Sequence, residues 1–167
     1  MSPEFSTGRG TTPWLVLLIL LAALRVPSLA QPAGGDQSLY LYSGQRLVQG
    51  DVPYRDVWDQ KPPGIMAVYA VLWRAWPHQS VVPAADLAAT ILTAWLLVIL
   101  GRRLCGPAAG FGGAAIFLLL GDPSIQRLGG LTIRAQCETF MALAITAALV
   151  AVTSSKPRTW RFVAGGR

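Results

Sequence analysis

Residues 87–101 read LAATILTAWLLVILG and are closed by the pair Arg102-Arg103. No charged side chain interrupts the run, so a helix built from it has no polar stripe to turn toward water, as a surface helix of a soluble domain does. Such a helix is enclosed on all sides, by protein or by lipid. Working outward, three further runs share the pattern: 13–24, 107–121 and 139–153. A spanning helix needs ~20 predominantly apolar residues, with ~17 as the lower limit, and each run reaches that length only with its semi-polar flanks. The first continues through Val26 and Leu29 past Arg25, whose long stem can carry its charge outward. A fifth apolar stretch, 65–76, is too short to cross. It carries Tyr69, Trp73, Arg74 and Trp76, which suits a helix lying at a membrane interface.

Composition agrees with the runs. Of 167 residues, 53% are apolar and 13% charged, and the mean hydropathy is +0.46. Soluble domains carry about a quarter of their residues as charges, so this chain cannot cover itself with polar side chains. The expected fold class is all-α: a polytopic transmembrane bundle of about four spans, with an outer loop containing short interfacial helices. The net charge of +6 does not indicate nucleic acid. The Lys and Arg residues are scattered, with no run longer than Arg102-Arg103, and a nucleic-acid surface needs a contiguous basic footprint. Cys105 and Cys137 flank an apolar run and are expected on opposite membrane sides. They are then too far apart for a disulfide, and one His with two distant Cys gives no zinc pattern.

Basic flanks set the orientation. Arg102 and Arg103 follow the second run, and Lys156, Arg158, Arg161 and Arg167 follow the fourth. With both clusters in the cytoplasm, residues 1–12 and the basic tail 154–167 lie inside, 13–153 form the membrane domain, and 31–83 form the first outer loop of a cell-membrane protein. Run 13–24 also resembles a secretory signal, with Ser28-Leu29-Ala30 as a cleavage site. Either reading puts Gln31 onward outside.

That loop holds most of the chemistry. A short helix is expected over 37–48, a turn at Gly50-Asp51-Val52-Pro53-Tyr54, and a stiff return to the membrane at Lys61-Pro62-Pro63-Gly64. Asp36 and Glu138 are the candidate catalytic carboxylates. Two carboxylates near one hydroxyl can act as a general base or hold a divalent metal ion that positions a phosphate. Each also has a plainer use, Asp36 as a helix N-cap and Glu138 as a carboxylate favoured by a helix dipole. Lys61, at headgroup level, can take a lipid phosphate as a point charge or anchor the interface. Arg55 is a second phosphate candidate, its alternative being a surface pair with Asp51 or Asp59. Tyr40, Tyr42, Tyr54 and Trp58 can stack on a sugar or fill the interface. Asp86 reads as a helix cap, His78 receives no role, and Gly110, Gly112 and Gly113 read as close helix packing.

Taken together, Asp36-Gln37-Ser38-Leu39-Tyr40, then Gly44-Gln45-Arg46-Leu47-Val48-Gln49-Gly50-Asp51-Val52-Pro53-Tyr54-Arg55-Asp56, then Asp59-Gln60-Lys61-Pro62-Pro63-Gly64 resemble the first outer loop of C-type membrane glycosyltransferases. The similarity is to the bacterial branch related to protein O-mannosyltransferases and the lipid A aminoarabinose transferase. Gly101-Arg102-Arg103-Leu104-Cys105-Gly106 and Ala135-Gln136-Cys137-Glu138-Thr139-Phe140-Met141 resemble the family's cytoplasmic turn after helix two and its approach to helix four. The resemblance implies hexosyl transfer from a polyprenyl-phosphate-linked sugar to a lipid, glycan or protein acceptor on the outer face. It also implies a catalytic Asp36, an acidic site position at Glu138 and a phosphate-contacting Lys61.

Two departures stand out. Gln37 replaces the Glu that often follows the first-loop Asp, and an amide does no acid–base work near neutral pH. The family's members also have many more spans, so the expectation is a truncated part of the enzyme, inactive alone. The alternatives are a small four-helix membrane scaffold or lipid-binding protein, and a transporter fragment, which the absence of mid-span charge disfavours.

Overall fold

A computed structural model of the chain describes residues 11–25, 29, 33–121 and 135–154. Among them the regular structure is helical, apart from one isolated bridge between Pro53 and Val57. The elements are α1 (Thr12–Arg25), α2 (Asp36–Val48), α3 (Pro63–Ala75), α4 (Val81–Leu104), α5 (Pro107–Leu120) and α6 (Cys137–Val152). Fold class is therefore all-α as expected.

α4 is the helix of the 87–101 run, extended at both ends. Pro83 is tolerated because it lies in the first turn, where the missing N–H has no helical partner anyway. Its 24 residues span about 36 Å at ~1.5 Å each, more than the ~30 Å of a bilayer core. Among the described residues it is the one helix long and apolar enough to cross a membrane. α1, α5 and α6 are apolar but hold 14 to 16 residues. Arg25 joins α1, and Cys137 and Glu138 join α6, yet these helices still stop short of the ~17-residue limit. Gly106 breaks the chain between α4 and α5 with φ of 99°. After α6, the hydroxyls of Thr153 and Ser154 turn back to donate to Leu149 O at 2.7 Å and Ala151 O at 2.8 Å.

α4 packs against α3, α5 and α6, and α1 packs on α5. The α4–α5 hairpin closes at Gly101 and Gly110, where a methyl on Gly101 would lie 2.5 Å from the Gly110 Cα. Gly112 and Gly113 have open space around them, so close packing belongs to Gly110 alone of the three. α4 and α6 run parallel. At one end the Asp86 carboxylate accepts from the Ala135 N–H at 2.8 Å. At the other, Arg103 Nη1 donates to Val150 O at 2.8 Å.

α2 and α3 form a second hairpin at the Asp86 end. Gly44 sits against the Tyr69 backbone, where a methyl would come within 2.6 Å. Across that seam lie Tyr40, Leu41, Ile65, Met66 and Tyr69, joined by Val81, Val82 and Ala135 in one apolar core. Outside the cores, Leu18, Ile19, Ile116, Leu120, Met141 and Ile145 are each at least half exposed, so α1, α5 and α6 all show apolar faces outward.

Candidate functional site

Asp36 is the first residue of α2 rather than its cap. The N-cap is Gly35, which has no side chain to bond the helix end. Gln37, buried, accepts from the Gly34 N–H through Oε1 at 3.3 Å, so the amide in the place of an acid ties down the start of α2. Asp36 stays exposed. Glu138 is the second residue of α6, also exposed, in the first turn where the helix dipole favours a negative charge.

Tyr40 stands one helical turn after Asp36 and points inward. It is fully buried, edge-on to Tyr69 with ring centroids 5.5 Å apart. That closes its ring to any sugar, so the stacking role expected from sequence does not hold for Tyr40. Its hydroxyl is the polar part left, and among the described residues it has no hydrogen-bond partner. Burial first, then the negative charges around it, among them Asp36, Asp59 and Glu138, push its pKa up to about 12. Tyr40 shares a core with Ala135, against which Cys137 packs, so the helix starts that carry the two candidate carboxylates come to the same end of the molecule. Lys61 lies two residues before α3, whose Ile65 and Met66 belong to that core.

The loop that presents Lys61 is held by its own bonds. Tyr54, at a left-handed φ of 64°, donates its hydroxyl to Lys61 O at 2.7 Å. Tyr54 therefore positions the lysine's backbone. The Val52 N–H donates to Asp56 Oδ2 at 2.9 Å, and Arg55 Nη2 reaches the same oxygen at 2.7 Å, with Nε 3.0 Å from Oδ1. The pairing anticipated between Arg55 and Asp51 or Asp59 goes instead to Asp56, the adjacent carboxylate; Asp51 pairs with Arg46. These contacts hold the Asp56 carboxyl down at about 2 and raise the Arg55 guanidinium. Arg55 thus stands as a loop brace, and Lys61 is the cation at the site.

Two residues were not singled out from sequence. Asp59 is 7% exposed, with Oδ2 buried and without a partner among the described residues. Asp86, expected to cap its helix, lies in the second turn of α4 and is 2% exposed. It accepts from Ala135 N–H and, at 3.4 Å, from the Thr139 hydroxyl. Ala135 O in turn accepts from the Tyr69 hydroxyl at 3.0 Å, and burial raises that phenol's pKa. This clamp holds Ala135 at a left-handed φ of 50° and so sets where Glu138 stands. A carboxylate inside an apolar helix was the available signal, since such groups rarely stay unpaired.

Cys105 and Cys137 are free thiols at opposite ends of the parallel α4–α6 pair. No three His, Cys, Asp or Glu side chains among the described residues come together as a metal-ligand set. What these segments offer chemically is a cation that can meet an anion and exposed carboxylates that can take a proton. No family model matches this chain, and no match was found among curated proteins or solved structures.

Proposed function

We propose that the chain is part of a membrane glycosyltransferase that moves a sugar from a polyprenyl phosphate to an acceptor on the outer face. In this reading α1, α4, α5 and α6 cross the membrane. The Arg102-Arg103 end and both termini are cytoplasmic, and the α2–α3 hairpin and its loop lie outside. Outward apolar faces on the short helices support the spans, and a thinned bilayer or flanking anchors accommodate their length. The observation that carries the function is that one core, with Tyr40, Ile65, Met66 and Ala135 in it and Cys137 packed against it, brings together the starts of α2, α3 and α6, which carry or adjoin Asp36, Lys61 and Glu138, at the end of α4 opposite its arginines.

The chemistry follows from the charges. The lipid tail stays in the bilayer while Lys61 holds the phosphate. Asp36 takes the proton from the acceptor hydroxyl, and its oxygen attacks the anomeric carbon. The bond from that carbon to the phosphate oxygen breaks, the electron pair leaves with the polyprenyl phosphate, and the anomeric centre inverts. Lys61 neutralises the growing charge on the leaving group at a low-dielectric boundary, where such stabilisation is largest. Glu138 orients the acceptor.

The test is transfer by the full-length parent with polyprenyl-phosphate sugars. Asp36→Asn is expected to abolish turnover by at least about a hundredfold with folding retained. Near-normal turnover would refute the role of Asp36.

A further inference from the structure

Ala135 sits in a conformation that side chains resist. Its φ of 50° lies in the left-handed region, it is fully buried, and both of its backbone groups are bonded. The N–H donates to Asp86 Oδ1 at 2.8 Å, and the carbonyl accepts from the Tyr69 hydroxyl at 3.0 Å. The same Asp86 oxygen accepts from the Thr139 hydroxyl at 3.4 Å. One carboxylate oxygen therefore holds the chain on both sides of Glu138, three residues before it and one after, while Glu138 itself stays exposed. The strain of a left-handed alanine is of the same order as the net worth of one hydrogen bond, so loss of either bond is enough to release it. Such strain persists only where the surroundings over-determine it, and it gathers at functional sites.

The two holders come from different helices. Asp86 belongs to α4, and Tyr69 to α3, which begins two residues after Lys61. Pro62 and Pro63, each with φ set by its ring, join Lys61 to that helix, and the Lys61 carbonyl is held by Tyr54. α3 is thus fastened at its start to the cation and, further along, to the chain that leads into Glu138. We propose that Tyr69 and Asp86 are positioning residues for the acceptor: through Ala135 they fix the first turn of α6 and align Glu138 with the segment that carries Lys61. The proposal rests on the glycosyl-transfer reading and adds the groups that set its acceptor side. Neither residue touches substrate, since Tyr69 is 0% and Asp86 2% exposed. Small displacements of a positioned group are felt strongly in rate, so their loss is read in acceptor use and not in donor binding.

Transfer by the full-length parent, with donor and acceptor varied separately, tests this beside hydrogen exchange of the Ala135 amide in the same proteins. Tyr69→Phe keeps the ring in its core and removes only the hydroxyl. It is expected to speed exchange at Ala135 about fivefold, to lower kcat/KM for the acceptor at least about tenfold, and to leave the donor KM at its native value. Asp86→Ala should do the same, and Asp86→Asn, whose amide oxygen still accepts, should recover both readouts. In a Glu138→Ala background, Tyr69→Phe should cost the acceptor nothing more, because both changes act through one group. A tyrosine that only supports the fold would add its loss to that of Glu138→Ala. Such additivity would overturn the positioning role, as would native acceptor kinetics in Tyr69→Phe or an equal loss in donor KM. If the native parent transfers no sugar, the glycosyl-transfer reading itself falls and the acceptor role with it, whatever the exchange at Ala135 shows.

Discussion

Tyr40 shows how one hydroxyl can be a cost to the fold. With no partner, it is held against the desolvation penalty of a buried donor. Tyr40→Phe is therefore expected to stabilise the ligand-free chain by about 1 kcal/mol, visible as a thermal midpoint higher by about 2–4 °C. A lower midpoint would mean the hydroxyl has a partner after all. The alkaline limb of stability should change too. The folded value of about 12 lies above the ordinary 10.0. The stabilising contribution of the neutral phenol is complete below pH 10 and is lost as pH rises through 12. The Phe variant should lack that loss when unfolding is followed across this range. Sequence pointed to position 40 for an aromatic at a membrane edge, but not for a polar end turned into an apolar core. Burial of that kind depends on α3 lying across α2, which no local pattern states.

At the scale of the element, the apolar runs were readable because composition alone excludes water from them, and the observed helices follow the runs to within a few residues except at the start of α4. What could not be read was how α6 begins. Asp86 sits at a helical position that looks like an end cap when neighbours are unknown. In three dimensions it accepts from a backbone N–H on another segment. Asp86→Ala removes the acceptor for Ala135 and should loosen the start of α6, so Cys137, now half-buried, should react faster with a maleimide. Cys105, at the far end, should react at its native rate. Asp86→Asn, whose amide oxygen still accepts, should restore slow labelling of Cys137. Equal Cys137 rates in all three proteins would show that the clamp does not hold the helix. Lys61 was likewise legible as a cation at the lipid edge. Its brace by Tyr54 was not, because that hydroxyl reaches a carbonyl seven residues on.

For the whole molecule, the parallel run of α4 and α6 makes a statement about sides. Trp58, 72% exposed, lies with the loop, and Cys105 ends α4. In a Cys137→Ser background, an impermeant thiol reagent added outside intact cells should label Trp58→Cys and spare Cys105. Labelling of Cys105 from outside would invert the proposed topology. The positive flanks suggested this arrangement in sequence. The bonds at both ends of the α4–α6 pair hold its two helices side by side and parallel.

The same parallel arrangement orders the birth of the protein. Two helices joined in sequence can point the same way only if the chain doubles back between them, as it does here through α5, and α6, following the other described helices in the chain, leaves the ribosome after them. Until it arrives, the core that Tyr40 shares with Ala135 lacks that residue and the packing of Cys137 and Phe140. The bonds from Asp86 and Tyr69 to the newly arrived Ala135 form in that same step, so the completion of this core and its polar clamp are one event.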